Sequence, residues 1–152
     1  MNQQLALEDK VVEVCTAHKR EHQAEENYRA AVNIETKFFV KFGPPADLLP
    51  EIETQKYLSD YATSNPGPGV PRIPHVLHSF QCGWTAYLVM EFLQLQPISN
   101  TTDEVPAPPG HVLGPLGGGR IRHGFFKGAR APLPFSSVEA LQWYMDKVRP
   151  CF

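Results

Sequence analysis

Leu7, Val11, Val14 and Cys15 recur at intervals of three and four, with His18 continuing the series, and this spacing predicts an amphipathic helix over about 5–20. Glu8, Glu13 and Lys19 fall on its polar face. Segments 28–34 and 37–42 are rich in β-branched and aromatic residues and read as two strands joined at Glu35-Thr36. Alternation along the second strand sets Phe38, Val40 and Phe42 on one face and Phe39 with Lys41 on the other. Gly43-Pro44-Pro45 stops it, and Leu48, Ile52, Gln55, Leu58 and Tyr61 restore helical spacing over 48–61.

Four prolines and two glycines between positions 64 and 74 predict a loop of extended character. Strands are expected at 75–81 and 85–93, with Cys82-Gly83 as their turn. The unbroken apolar run Ala86, Tyr87, Leu88, Val89, Met90 suits a strand buried on both faces at the centre of a sheet. From 94 to 119 the composition turns to Pro, Gly, Ser, Thr and acids, as in a linker or a long functional loop. Ser136-Ser137-Val138-Glu139 then has the form of a capping box, and Val138, Leu141, Met145 and Val148 share one face of a helix over about 137–148. No internal repeat is present.

A length of 152 residues leaves room for one domain with a core. The apolar content of 42% excludes a chain disordered throughout. A net charge of -2 supplies no general attraction to nucleic acid or anionic lipid, so neither is expected as a partner. The short basic cluster Arg120, Arg122, Lys127 and Arg130 reads as a solvated run. No apolar stretch has membrane-spanning length, and the polar start Met1-Asn2-Gln3-Gln4 is unlike a signal peptide, so a cytoplasmic location is expected. Cys15, Cys82 and Cys151 are odd in number and widely spaced, which suggests free thiols.

Three motifs on this helix, two-strand, helix, two-strand order resemble the N-terminal lobe shared by protein kinases and aminoglycoside phosphotransferases, especially the kinase-like proteins abundant in fungi. The first is Phe38-Phe39-Val40-Lys41-Phe42, similar to the strand whose lysine meets the α- and β-phosphates of ATP. The second is Glu51-Ile52-Glu53-Thr54-Gln55-Lys56-Tyr57-Leu58, similar to the helix whose glutamate orients that lysine; Glu51 matches, with Glu53 as fallback. The third is Tyr87-Leu88-Val89-Met90-Glu91-Phe92-Leu93, similar to the central strand running into the hinge. There the resemblance implies adenine contacts from the Glu91 carbonyl and the Leu93 amide, with Met90 lining the pocket. Phe39 stands where protein kinases usually have a small residue, and an aromatic there can stack on adenine, which tilts the resemblance toward the phosphotransferase branch. Each match has a plainer reading in the same residues: a surface lysine, exposed helix carboxylates, core packing.

The resemblance implies an α+β fold with an antiparallel sheet of four or five strands, a packed helix, an N-terminal helix and a C-terminal helix. It divides the chain into an N-lobe over 1–93, a Pro/Gly-rich linker or loop over 94–135, and a helix over 136–152 that would begin a second lobe. The rest of that lobe is expected to be missing, as in a fragment or a truncated relative.

Phosphoryl transfer in the family also needs a base-like aspartate and metal-holding acids. None of the six histidines has an aspartate two positions on, and neither Asp-x-Asp nor Asp-Phe-Gly occurs. Asp103 and Asp146, the only aspartates after the hinge, carry no motif. Nor does a Gly-rich loop precede the lysine strand, since Gly43 is the first glycine. Gly114 to Gly119 lacks the strand and the following Lys-Ser or Lys-Thr of a phosphate loop, although Arg120 and Arg122 beside it could meet an anion. His18 and His22 could share a helix face, yet the sequence between them is not His-Glu-x-x-His and no third ligand accompanies them, so metal binding is not expected. No Gly-x-Ser-x-Gly elbow suggests a hydrolase.

The expectation is therefore a kinase-like chain that binds ATP weakly at most and does not turn over alone, magnesium being the family's metal but its ligands being absent here. The alternative is a non-catalytic interaction module that associates with itself or with another protein through the face a second lobe would cover.

Overall fold

The computed structural model describes residues 2–67, 72–94, 106–111, 113–121 and 130–148. Asp103, Arg122, His123, Lys127 and Cys151 lie outside them. The elements follow the chain as α1 (Asn2–His22), β1 (Ala31–Ile34), β2 (Phe38–Gly43), α2 (Pro45–Ser64), β3 (Val76–Cys82), β4 (Thr85–Glu91) and α3 (Val138–Val148). The fold is α+β, and the four strands form one antiparallel sheet in the order β1-β2-β4-β3.

Two hairpins build this sheet, and α2 carries the chain between them. Ile34-Glu35-Thr36-Lys37 closes the first, with Lys37 N donating to Ile34 O at 3.1 Å. Glu35 and Thr36 both have positive φ, 52° and 53°, the backbone of a type I′ turn whose twist matches the flanking strands. The second hairpin turns at Gly83-Trp84, one residue later than the sequence pattern suggests. Gly83 takes φ of 57°, and Gln81 Nε2 reaches back to Gly83 O at 3.0 Å.

Alternation in the two central strands creates two cores. Val40 and Phe42 of β2 and Tyr87 and Val89 of β4 face α1, where they bury Val11 and Cys15 together with Ile34. Ala86, Leu88 and Met90 of β4 face the other way and bury Leu48 and Ile52 of α2, with Phe39 and Val76 alongside. The sheet is thus covered on both sides, and β4 is interior with five consecutive buried residues, as its apolar run predicts. A bulge at Leu77 shifts the register of β3, pairing Val76 with Met90 and His78 with Val89. It places His78 Nε2 2.7 Å from Glu8 Oε1 of α1, tying the edge strand to the helix.

α2 begins with Pro45 at its first position, where a missing N–H costs nothing, and runs three residues further at each end than the periodicity predicts. Pro50 inside it has no N–H for the Ala46 carbonyl. At its far end Ser59 is buried and its hydroxyl lies 2.9 Å from His75 Nδ1. α3 starts one residue later than a Ser136 cap would give. Ser137 Oγ accepts from Ala140 N at 3.1 Å, so Ser137 is the cap and Glu139 sits in the first turn.

Candidate functional site

Strand alternation decides which side chains can meet α2. Phe39 and Lys41 point to the same face because they are two residues apart on β2, and Met90 lies opposite Phe39 on β4. Phe39 and Met90 pack together against Leu48 and Ile52, and Lys41 lies two residues further along β2. Its Nζ forms an ion pair and hydrogen bond with Glu51 Oε1. Glu53 instead turns outward, where Lys56 Nζ lies 3.3 Å from its Oε1. Helical geometry explains the difference: Glu51 sits one position before the buried Ile52, and Glu53 one position beyond it on the opposite flank.

Lys41 and Glu51 remain 39% and 38% exposed. Water screens a pair of this kind, which is worth about 0–1 kcal/mol. Its structural effect is to fix the lysine head group beside the first half of α2.

Glu91 and Leu93 stand at the other end of the same strands. Glu91 N donates to His75 O at 3.0 Å, and Phe92 N to Lys37 O at 2.9 Å, so the ladder continues on both sides of the β4 terminus. The Glu91 carboxylate accepts from His75 N at 3.2 Å and lies 3.8 Å from Arg72 Nη2. Leu93 follows the strand and is half-buried.

The outer flank of α2 is not bare. Residues of the Pro/Gly-rich stretch dock on it through bonds that no motif announces. Tyr57 donates its hydroxyl to Pro106 O at 2.7 Å, and Leu116 N donates to Thr54 Oγ1 at 3.0 Å. Gly117 lies so close to the helix that a Cβ there would stand 2.7 Å from Pro50 Cα, so only glycine fits. Arg130 closes the segment with an ion pair to Asp47, and Ala131 N donates to Ile121 O at 2.8 Å.

Between this strap and α2 is a cavity of about 700 Å³, lined by Asp47, Pro50, Glu51 and Thr54 from the helix and by Gly114, Pro115, Gly118 to Ile121 and Arg130 from the strap. Sequence reasoning singled out the glycines and Arg120 and placed Arg130 in a solvated basic run, but gave no role to Asp47 or Thr54. The Asp47–Arg130 and Thr54–Leu116 contacts join positions far apart in the chain, and nothing in either local sequence marks the other.

His18 and His22 do come together, their ring centroids 4.9 Å apart, with His22 Nδ1 2.7 Å from Glu25 Oε1 and His18 Nε2 3.0 Å from Arg29 O. The Glu25 hydrogen bond raises the His22 pKa above its ordinary value. Among the described residues no group of three or more His, Cys, Asp or Glu could hold a metal ion. Nor is any helix among them long and apolar enough to cross a membrane. Comparison with protein families, with curated proteins and with solved structures finds no match to this chain.

Proposed function

We propose that the chain is a kinase-like N-terminal lobe that binds the ATP nucleotide through the α2 side of its sheet and does not transfer phosphate by itself. The observation that carries this reading is the Lys41–Glu51 pair, which joins β2 to α2. A lysine held by a helix carboxylate on the face that also carries an aromatic ring and a methionine is the arrangement needed for a phosphate-binding cation beside an adenine pocket.

The spacing along the strands is compatible with one ligand touching both ends. Phe38 lies opposite Glu91, and Lys41 is three residues further along β2. At the strand rise this separates the hinge end from the lysine by about 10 Å, a span of nucleoside size. In this reading Phe39 and Met90 flank the base, the Glu91 carbonyl and Leu93 amide recognise its edge, and Lys41 meets phosphate oxygens as a point charge. ATP, when bound, supplies the phosphoryl group. The described residues offer no acid cluster that fits magnesium, so no step is assigned to the metal.

A second reading is favoured by α3. Val138 and Trp143 on this helix are 56% and 65% exposed. A surface of this kind suits a protein partner or a second copy of the chain.

Calorimetry with magnesium and ATP, run on the chain and on Lys41→Ala, tests the first reading. Saturable binding lost in Lys41→Ala, with an unchanged melting curve, is the expected result. Absence of heat at millimolar ATP, together with concentration-dependent association in sedimentation, would replace it with the second.

A further inference from the structure

The cavity between α2 and the strap is separate from the sheet face that carries Phe39 and Met90, and its lining is chemically specific. Pro50, Pro115 and Ile121 provide an apolar floor. Four charged residues border it: Asp47, Glu51, Arg120 and Arg130. Asp47 is matched by Arg130, and Glu51 is matched by Lys41 from outside the cavity. Arg120 therefore has no carboxylate partner among the described residues, and the three cations around this site face two carboxylates.

We propose that this cavity is a binding site for a small organic anion, a carboxylate on a compact apolar body, with Arg120 holding the anionic group. A volume of about 700 Å³ is within the range of small-molecule sites. A guanidinium with no carboxylate partner among the described residues, beside a hydrophobic floor, selects that chemistry, because the planar fork bonds both carboxylate oxygens while the body displaces water from Pro50, Pro115 and Ile121. A cation would find both carboxylates already neutralised.

Because Glu51 belongs to the wall of this cavity and also holds Lys41, an occupant here touches the residue that fixes the lysine. The site itself does not depend on the chain's binding ATP.

The probes are benzoate and its neutral isostere benzyl alcohol, titrated into the full ¹⁵N-labelled chain without nucleotide. Backbone amide shifts are followed at 46–54 and 114–121. The expected result is saturable benzoate binding with shifts confined to those two segments, and affinity about tenfold or more weaker for benzyl alcohol and for Arg120→Gln. Arg120 is exposed, so its replacement leaves the fold intact. Ile121→Trp, which fills the cavity, is expected to abolish binding of both probes while the amide spectrum elsewhere stays unchanged. Shifts scattered over other surface cations, equal affinity in Arg120→Gln, or no saturation at millimolar benzoate would each overturn the proposal. A failure of ATP to bind in the Lys41 experiment would leave it standing.

Discussion

Cys15 and Cys82 carry the same thiol in opposite settings. Cys15 is buried in the cluster that also holds Val11 and Phe42, and burial pushes its pKa from 9.0 up to about 12. Cys82 is exposed at the end of β3. Since the thiolate is the reacting species, a disulfide reagent at neutral pH is expected to label Cys82 quickly and Cys15 only on unfolding. The measurement is thiol titration of Cys151→Ser with and without denaturant, and rapid labelling of two thiols in the folded protein would contradict the buried position of Cys15. Lys41 is the other residue whose role depends on its surroundings. Its position on the Phe39 face was legible from alternation alone and the family resemblance preferred Glu51 over Glu53 as its partner, while the rotation of α2 about its axis is what brings Glu51 to it.

The first hairpin has the right backbone and an unsuited residue. Thr36 is β-branched and takes a positive φ, where glycine is the ordinary choice in a type I′ turn. Thr36→Gly should therefore stabilise the protein, by about 0.5–1 kcal/mol after the extra freedom of glycine in the unfolded chain is set against the relieved strain. A rise in the urea midpoint with unchanged slope is the expected outcome, and a fall would show that the Thr36 hydroxyl contact to Glu35 O, at 2.6 Å, matters more than the strain. The strap on α2 poses the converse problem at Gly117. A valine there meets Pro50 and Glu53 within contact distance, so Gly117→Val is expected to lift the segment from the helix. Hydrogen exchange should then speed up at Leu116 and around Ile121 and Ala131 while β2 and β4 keep their protection. Equal loss of protection in the sheet would mean that strap and core unfold as one unit. Strands and helices were legible here because each shows its own apolar period. The strap was not, because Pro- and Gly-rich sequence has no period and docks through backbone groups.

For the molecule as a whole, pH should act through a few surface groups. Lys10, by hydrogen bond and charge, holds the Glu35 carboxyl below the ordinary 4.5, and backbone and Ser137 hydrogen bonds do the same for Glu139 at the start of α3. A carboxyl with a depressed folded pKa contributes stability that is present above 4.5 and is lost as pH falls through its folded value. His22 has the opposite sign: its pKa is raised by Glu25, so its contribution is present below 6.5 and is lost as pH rises through the folded value. The urea midpoint is therefore expected to be highest between 4.5 and 6.5 and to fall on either side. Glu35→Gln should flatten the acid limb and His22→Gln the neutral one. An acid limb of the same steepness in Glu35→Gln would assign acid lability to other groups.

Taken by itself, the sequence determined the α+β class, the two hairpins, the central place of β4 and the face shared by Phe39 and Lys41. All of these follow from local period, because alternation and helical spacing act within a few residues. Tertiary structure decided that α1 and α2 cover opposite faces of the sheet, that Lys41 meets Glu51, and that the 106–131 stretch includes a strap that encloses a cavity with α2. These depend on how elements distant in sequence are oriented, and on backbone donors such as Leu116 N that every residue but proline possesses. Such groups carry no side-chain signature, so only the folded chain shows which of them meet.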